Sequence, residues 1–167
     1  MLSSVQNDLL GLSFNVQGKD FLNVALDISS IDLGVFGGPF GPVDGTAPLF
    51  QFTLFDNPGG APGLGGGTVL DTFQRSGTAS PRDVFDWTHV ILPLDASAAT
   101  DGNVILGIDL LDGGYASLDN FRIAASDTPG QVGEVPEPST LGLIGLGLVA
   151  MRGARGRRVG KCSTAAR

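Results

Sequence analysis

Leu10-Gly11-Leu12-Ser13-Phe14-Asn15-Val16-Gln17-Gly18-Lys19-Asp20-Phe21-Leu22-Asn23-Val24-Ala25-Leu26-Asp27-Ile28 decides the fold. In its first half Leu10, Leu12, Phe14 and Val16 alternate with Gly11, Ser13, Asn15 and Gln17. In its second half Leu22, Val24, Leu26 and Ile28 alternate with Asn23, Ala25 and Asp27. Successive side chains of an extended chain point to opposite faces, so this period of two marks half-buried strands. Gly18-Lys19-Asp20 between them reads as a hairpin turn, with glycine supplying the positive φ.

The same reading extends outward. Ile31, Leu33 and Val35 continue an edge strand, and the Gly- and Pro-rich Gly37 to Pro48 is loop. Leu49 to Phe55 is an aromatic-rich strand, Asn57 to Gly67 a long linker-like Gly/Pro loop, and Thr68 to Phe73 a short strand. Trp87 to Leu94 is a strand with Pro93 near its end. Val104, Leu106, Ile108 and Leu110 alternate to give another, and Tyr115 to Ile123 is the last, after the turn Asp112-Gly113-Gly114. No helical period is sustained before Pro138. Many short strands joined by Gly/Pro turns predict an all-β antiparallel sandwich or jelly roll. Ala124 to Val135 reads as a polar linker.

Charge divides the chain in two. Before Val135 there are 15 Asp and one Glu against Lys19, Arg75, Arg82 and Arg122, whereas the last 16 residues are strongly basic. An acidic body repels phosphate, which excludes nucleic-acid binding by it. The single cysteine, Cys162, rules out an internal disulfide and a cysteine metal site.

The chain end has three parts. Val135-Pro136-Glu137-Pro138 is a Pro-rich approach. Ser139, Thr140, Leu141, Gly142, Leu143, Ile144, Gly145, Leu146, Gly147, Leu148, Val149, Ala150 and Met151 form an uncharged apolar run. Arg152, Arg155, Arg157 and Arg158, then Lys161, form a basic stop. As a helix, the apolar run is about 20 Å long at ~1.5 Å per residue. That is short for a bilayer core of ~30 Å. Arginine stems that snorkel lengthen the effective span, and basic residues favour the cytoplasmic side. The alternative is a buried terminal element. Three glycines make that a weak helix in water, and it gives the cations no reason to cluster.

This ending resembles the PEP-CTERM sorting signal of Gram-negative bacteria over about the last 30 residues. The resemblance implies an exosortase that cleaves near Pro136, Glu137 and Pro138. It also implies transient residence in the inner membrane, followed by passage to the cell surface or exterior, often in species making exopolysaccharide. Such a signal requires an export signal at the other end. Met1-Leu2-Ser3-Ser4 lacks one, so a body incomplete at its N-terminus is expected. A second resemblance covers about a third of the body. Leu110 to Ile123 looks like the closing hairpin of jelly-roll modules in exported bacterial proteins, carbohydrate-binding modules among them. Trp87 to Leu94 sits where such modules have a Trp-started strand.

Candidate sites follow. In similar jelly rolls a carboxylate at Asp119 can bind structural Ca²⁺, with Asp109 and Asp112 as further ligands. The alternative is hydrogen bonding in turns or across strands. Trp87 and Tyr115 could stack on a sugar ring, although a core role is the stronger expectation for a Trp beside an apolar strand. His89, the sole histidine, reads as a cross-strand residue, because no nucleophile motif accompanies it. The expected organisation is a sandwich over 1–124, a linker with the Pro-Glu-Pro motif over 125–138, a transmembrane sorting helix over 139–151 and a basic cytoplasmic tail over 152–167. The expected function is that of an exported, non-enzymatic surface or matrix protein, associated with exosortase, the inner membrane and polysaccharide. The alternatives are a glycosidase or lyase on the same fold, using paired Asp carboxylates, and an unprocessed membrane-anchored protein.

Overall fold

The computed structural model describes residues 2–3, 9–30, 47–78, 86–113 and 115–133. All of these belong to one compact unit, Met1–Gly133. The expected C-terminal helix over 139–151 and the strand expected at Ile31–Val35 lie outside the described residues. Among the described residues no helix is long and apolar enough to cross a membrane.

Among the described residues eight strands follow one another: β1 (Leu2–Ser3), β2 (Leu9–Asn15), β3 (Phe21–Ser30), β4 (Leu49–Asp56), β5 (Val69–Ser76), β6 (Trp87–Asp95), β7 (Asn103–Asp112) and β8 (Tyr115–Ser126). They form two four-stranded antiparallel sheets. Sheet A has the order β1-β8-β3-β6 and sheet B the order β2-β7-β4-β5. The pairs β1 with β8, β2 with β7, β3 with β6 and β4 with β5 are all hydrogen-bonded. The described strands therefore form one long antiparallel ribbon, doubled back at the β4–β5 connection and rolled so that successive pairs fall in alternate sheets.

The period of two does what it predicts. Leu22, Val24, Leu26 and Ile28 of β3 join Val90, Leu92 and Leu94 of β6 in the core. From sheet B the same core takes Phe50, Phe52 and Leu54 of β4 and Val104, Leu106, Ile108 and Leu110 of β7. Each such side chain contributes about 1.5–3 kcal/mol when removed from water. Pro93 is tolerated because β6 is an edge strand, paired only with β3.

Both expected hairpins are absent. Val16 to Lys19 does make a tight turn, with Gln17 and Gly18 at positive φ and Lys19 N donating to Val16 O at 3.0 Å. Yet β2 lies in sheet B and β3 in sheet A, so the turn carries the chain from one sheet to the other. The turn after Asp112 does the same for β7 and β8. A short turn fixes proximity, whereas the buried faces on either side select each strand's partner.

The connection from Asn57 to Gly67 is a docked cover rather than a linker. In β2 and β7, Gly11 and Gly107 stand opposite each other on the outer face of sheet B. A Cβ on Gly11 would lie 2.4 Å from Gly63 O and 2.5 Å from Leu64 Cα. The loop backbone thus fills a notch that only glycine leaves open. At the same end of the body, Asp101 Oδ2 accepts from Gly59 N at 2.7 Å and Asp101 Oδ1 from Asn103 N at 3.0 Å. Asp56 accepts from Thr100 N at 3.0 Å and from Thr100 Oγ1 at 2.5 Å. These carboxylates tie the loop to the β6–β7 turn.

Two substitutions test this arrangement in urea titrations followed by circular dichroism. Gly11→Ala should lower the unfolding free energy by about 1–3 kcal/mol, the usual effect of overpacking. Gly133→Ala, with nothing within 4 Å of the added Cβ, should stay within about 0.5 kcal/mol of the parent. Equal stability of the two variants would contradict the docked loop.

Candidate functional site

β3 is central in sheet A, flanked by β8 and β6. Because its even-numbered residues face the core, Asp27 is projected outward. Its cross-strand partners are His89 on β6 and Asp119 on β8. The register with β8 then shifts: Ala25 pairs with Arg122 and Asp27 with Asp119, so Asn120 and Phe121 together oppose Leu26. This bulge places Asn120 at φ 53°, in the left-handed region that asparagine tolerates better than most residues.

The bulge aims the Asn120 side chain back across the sheet. Asn120 Nδ2 donates to Asp27 Oδ2 at 2.6 Å, and His89 Nδ1 lies 2.6 Å from Asp27 Oδ1. An ionised carboxylate only accepts, so His89 Nδ1 carries the proton in this contact. Asn120 N donates to Asp119 Oδ1 at 2.7 Å, which holds the bulge from its other side. The hydrogen bond from Asn120, followed by the one from His89, holds the Asp27 carboxyl below its ordinary value, and the charge of Arg122 acts in the same direction. Asp27, His89, Asn120, Phe121 and Arg122 line an open depression of about 400 Å³.

Apolar surface flanks this polar row. Trp87 is two residues before His89 and shares its face; it is 50% exposed, with Ile91 at 42% and Phe121 at 38%. The core role expected for Trp87 is therefore overturned. The buried positions of β6 are Val90, Leu92 and Leu94, and Trp87 has the opposite parity. Tyr115 opens β8 opposite Ser3.

One end of the same face is closed by the segment after β8. The last strand runs to Ser126, beyond the expected end at Ile123. Asn23 is fully buried on β3; its Nδ2 donates to Ser126 Oγ at 2.9 Å and to Thr128 O at 3.2 Å. Asn23 Oδ1 accepts from Gly130 N at 2.6 Å, and Lys19 pairs with Asp127 at 2.7 Å. The first residues of the segment read as a linker are thus pinned to the body.

The three carboxylates proposed for calcium are divided between the sheets. Asp109 and Asp112 belong to β7 in sheet B and Asp119 to β8 in sheet A. Gly113 N donates to Asp112 Oδ1 at 2.8 Å, and Asp109 Oδ1 is buried without a partner among the described residues. Among those residues no group of three or more His, Cys, Asp or Glu is placed to hold a metal ion. Asp27, Phe121 and Arg122 were not singled out from sequence, because their meeting depends on strands far apart in the chain. Val135, Pro136, Glu137, Pro138, the apolar run Ser139–Met151 and the arginines of the basic stop lie outside the described residues.

The low value of Asp27 has a testable sign. Its stabilising contribution is present above the unfolded-state value near 3.8. It is lost as the pH falls through the lower folded-state value. A carboxyl ¹³C titration should show Asp27 ionised below that value. Asn120→Ala and His89→Ala should each move its midpoint upward. An Asp27 midpoint unmoved by both variants would contradict the assigned hydrogen bonds.

Comparison with known proteins places a family match at the chain end. No curated protein and no solved structure matches the chain. Residues 134–158 match the family described as PEP-CTERM protein-sorting motif, and they begin directly after Gly133, the last residue of the compact unit. Such a motif implies processing by exosortase, and with it an exported protein that is transiently associated with a membrane.

Proposed function

We propose that this chain is a non-enzymatic cell-surface or matrix protein. In this reading its body is a jelly-roll β-sandwich carried as cargo by the terminal signal, and its destination is a polysaccharide-rich exterior. The match over 134–158 carries the proposal. The ribbon pairing of β1–β8, β2–β7, β3–β6 and β4–β5 supports the jelly roll, an eight-stranded two-sheet arrangement.

The mechanism is address plus anchor. Pro136 and Pro138 supply no backbone donor and push the residues before them toward extended conformations, which keeps the cleavage region open to a protease. Ser139–Met151 enters the inner membrane, and Arg152, Arg155, Arg157 and Arg158 hold the cytoplasmic side. Cleavage near the Pro-Glu-Pro motif then separates the body from its anchor.

Replacing Pro136, Glu137 and Pro138 together with alanine should leave full-length protein in the membrane fraction of the native host. The parent should be recovered at the surface or in the medium, at a mass lacking the apolar run and basic tail. Normal processing of the triple variant would remove the sorting role. Full-mass parent protein in the membrane would favour a permanently anchored protein.

A further inference from the structure

We propose that the outer face of sheet A binds an uncharged polysaccharide at the depression formed by Asp27, His89, Asn120, Phe121 and Arg122, with Trp87 extending the contact along β6. The proposal gives the body described under Proposed function a ligand and rests on that reading only for where the ligand is met.

The face has the wrong composition for a surface that touches only water. The solvent side of a half-buried antiparallel sheet is ordinarily polar. Here Trp87, Ile91 and Phe121 are all substantially exposed around a polar row. Aromatic rings offer an apolar face that suits the C–H side of a pyranose. The groups between them present both donors and acceptors, as hydroxyls require. Asp27 and Asn120 carry acceptor oxygens, while Asn120 Nδ2, the far nitrogen of His89 and Arg122 extend the set. The Arg122 guanidinium lines the same depression and adds further donors.

Shape and charge narrow the class. A volume of about 400 Å³ is within the range of ligand sites, roughly 300–1,000 Å³. The depression lies open on a sheet face, so a polymer can cross it. Sixteen acidic residues against four basic ones before Val135 surround the site with a field that repels uronate or sulfate chains. At the site the charge of Arg122 acts against that of Asp27, while Asp119, the cross-strand partner of Asp27, keeps the face acidic. A neutral chain is what this combination favours.

The test is native affinity electrophoresis of the full-length chain in mild detergent. The gels contain dextran, mannan, xylan or a β-1,3-glucan, with alginate and polygalacturonate as acidic counterparts. At least one neutral polymer should retard the parent. Trp87→Ala and Phe121→Ala should each weaken that binding about tenfold, the order of one lost aromatic contact. Leu111→Ala, an equally exposed apolar residue on sheet B, should bind like the parent. Each of the three side chains is half or more buried, so unfolding midpoints are measured alongside, and binding is compared with every variant folded at the assay temperature, which separates lost binding from lost folding. Retardation by none of the neutral polymers, retardation by acidic polymers alone, or parent-like binding by both aromatic variants would overturn the proposal. The readout does not depend on proteolytic processing, so its failure leaves the sorting signal standing, and the reverse also holds.

Discussion

Burial of one face of β3 is the constraint on which the rest of the body depends. Leu22, Val24, Leu26 and Ile28 are all at or near zero exposure in the core. With a period of two, a slip of one residue would exchange every inward side chain for an outward one. The register that satisfies the core therefore also decides what lies outside. It sets Asp27 opposite His89, Ala25 opposite Ile91 and Asn23 opposite Pro93. A surface whose polar groups meet at 2.6 Å across strands is thus a by-product of hydrophobic packing, refined by a single bulge on β8.

That bulge shows how local strain and cross-strand geometry combine. A regular β8 would carry its outward residues past Asp27 in simple alternation. Two residues opposite Leu26 bring Asn120 into reach of Asp27 and Phe121 onto the rim. The left-handed backbone at Asn120 is offset by its side-chain hydrogen bond and by the one its own N–H gives Asp119. Elsewhere the abundance of Asp has a similar cause. Asp95, Asp101 and Asp112 each accept from a backbone N–H one or two residues further on. A shorter side chain than Glu makes that reach natural, and turns in this chain are many.

The strands were legible because alternation is a direct imprint of a two-faced environment. Their partners were not, because adjacency in sequence says nothing about which sheet a strand joins. Val16 to Lys19 looks like a hairpin turn, and it is a sheet-to-sheet crossing. Trp87 could have been placed outside by parity, since Val90, Leu92 and Leu94 claim the inner face; its place beside an apolar strand argued for the core and misled. The meeting of Asp27 with His89 and Asn120 spans 62 and 93 residues and leaves no local trace. The paired strand glycines Gly11 and Gly107 were readable as a place of close backbone approach, though not as the seat of the Asn57–Gly67 loop. At the chain end the order of motif, apolar run and basic cluster is linear information, and there sequence sufficed.

The clasp of β1 by β8 carries a consequence for biogenesis. A ribbon whose first strand is completed by its last cannot close while the chain is still emerging, and such non-local topologies fold slowly. Ser126, where the closing strand ends, is only a few residues ahead of Glu134, where the sorting motif begins. A translocating chain therefore gains its closing strand only shortly before the address itself arrives at the membrane. Maturation of the body and reading of its label become events of the same moment rather than successive ones.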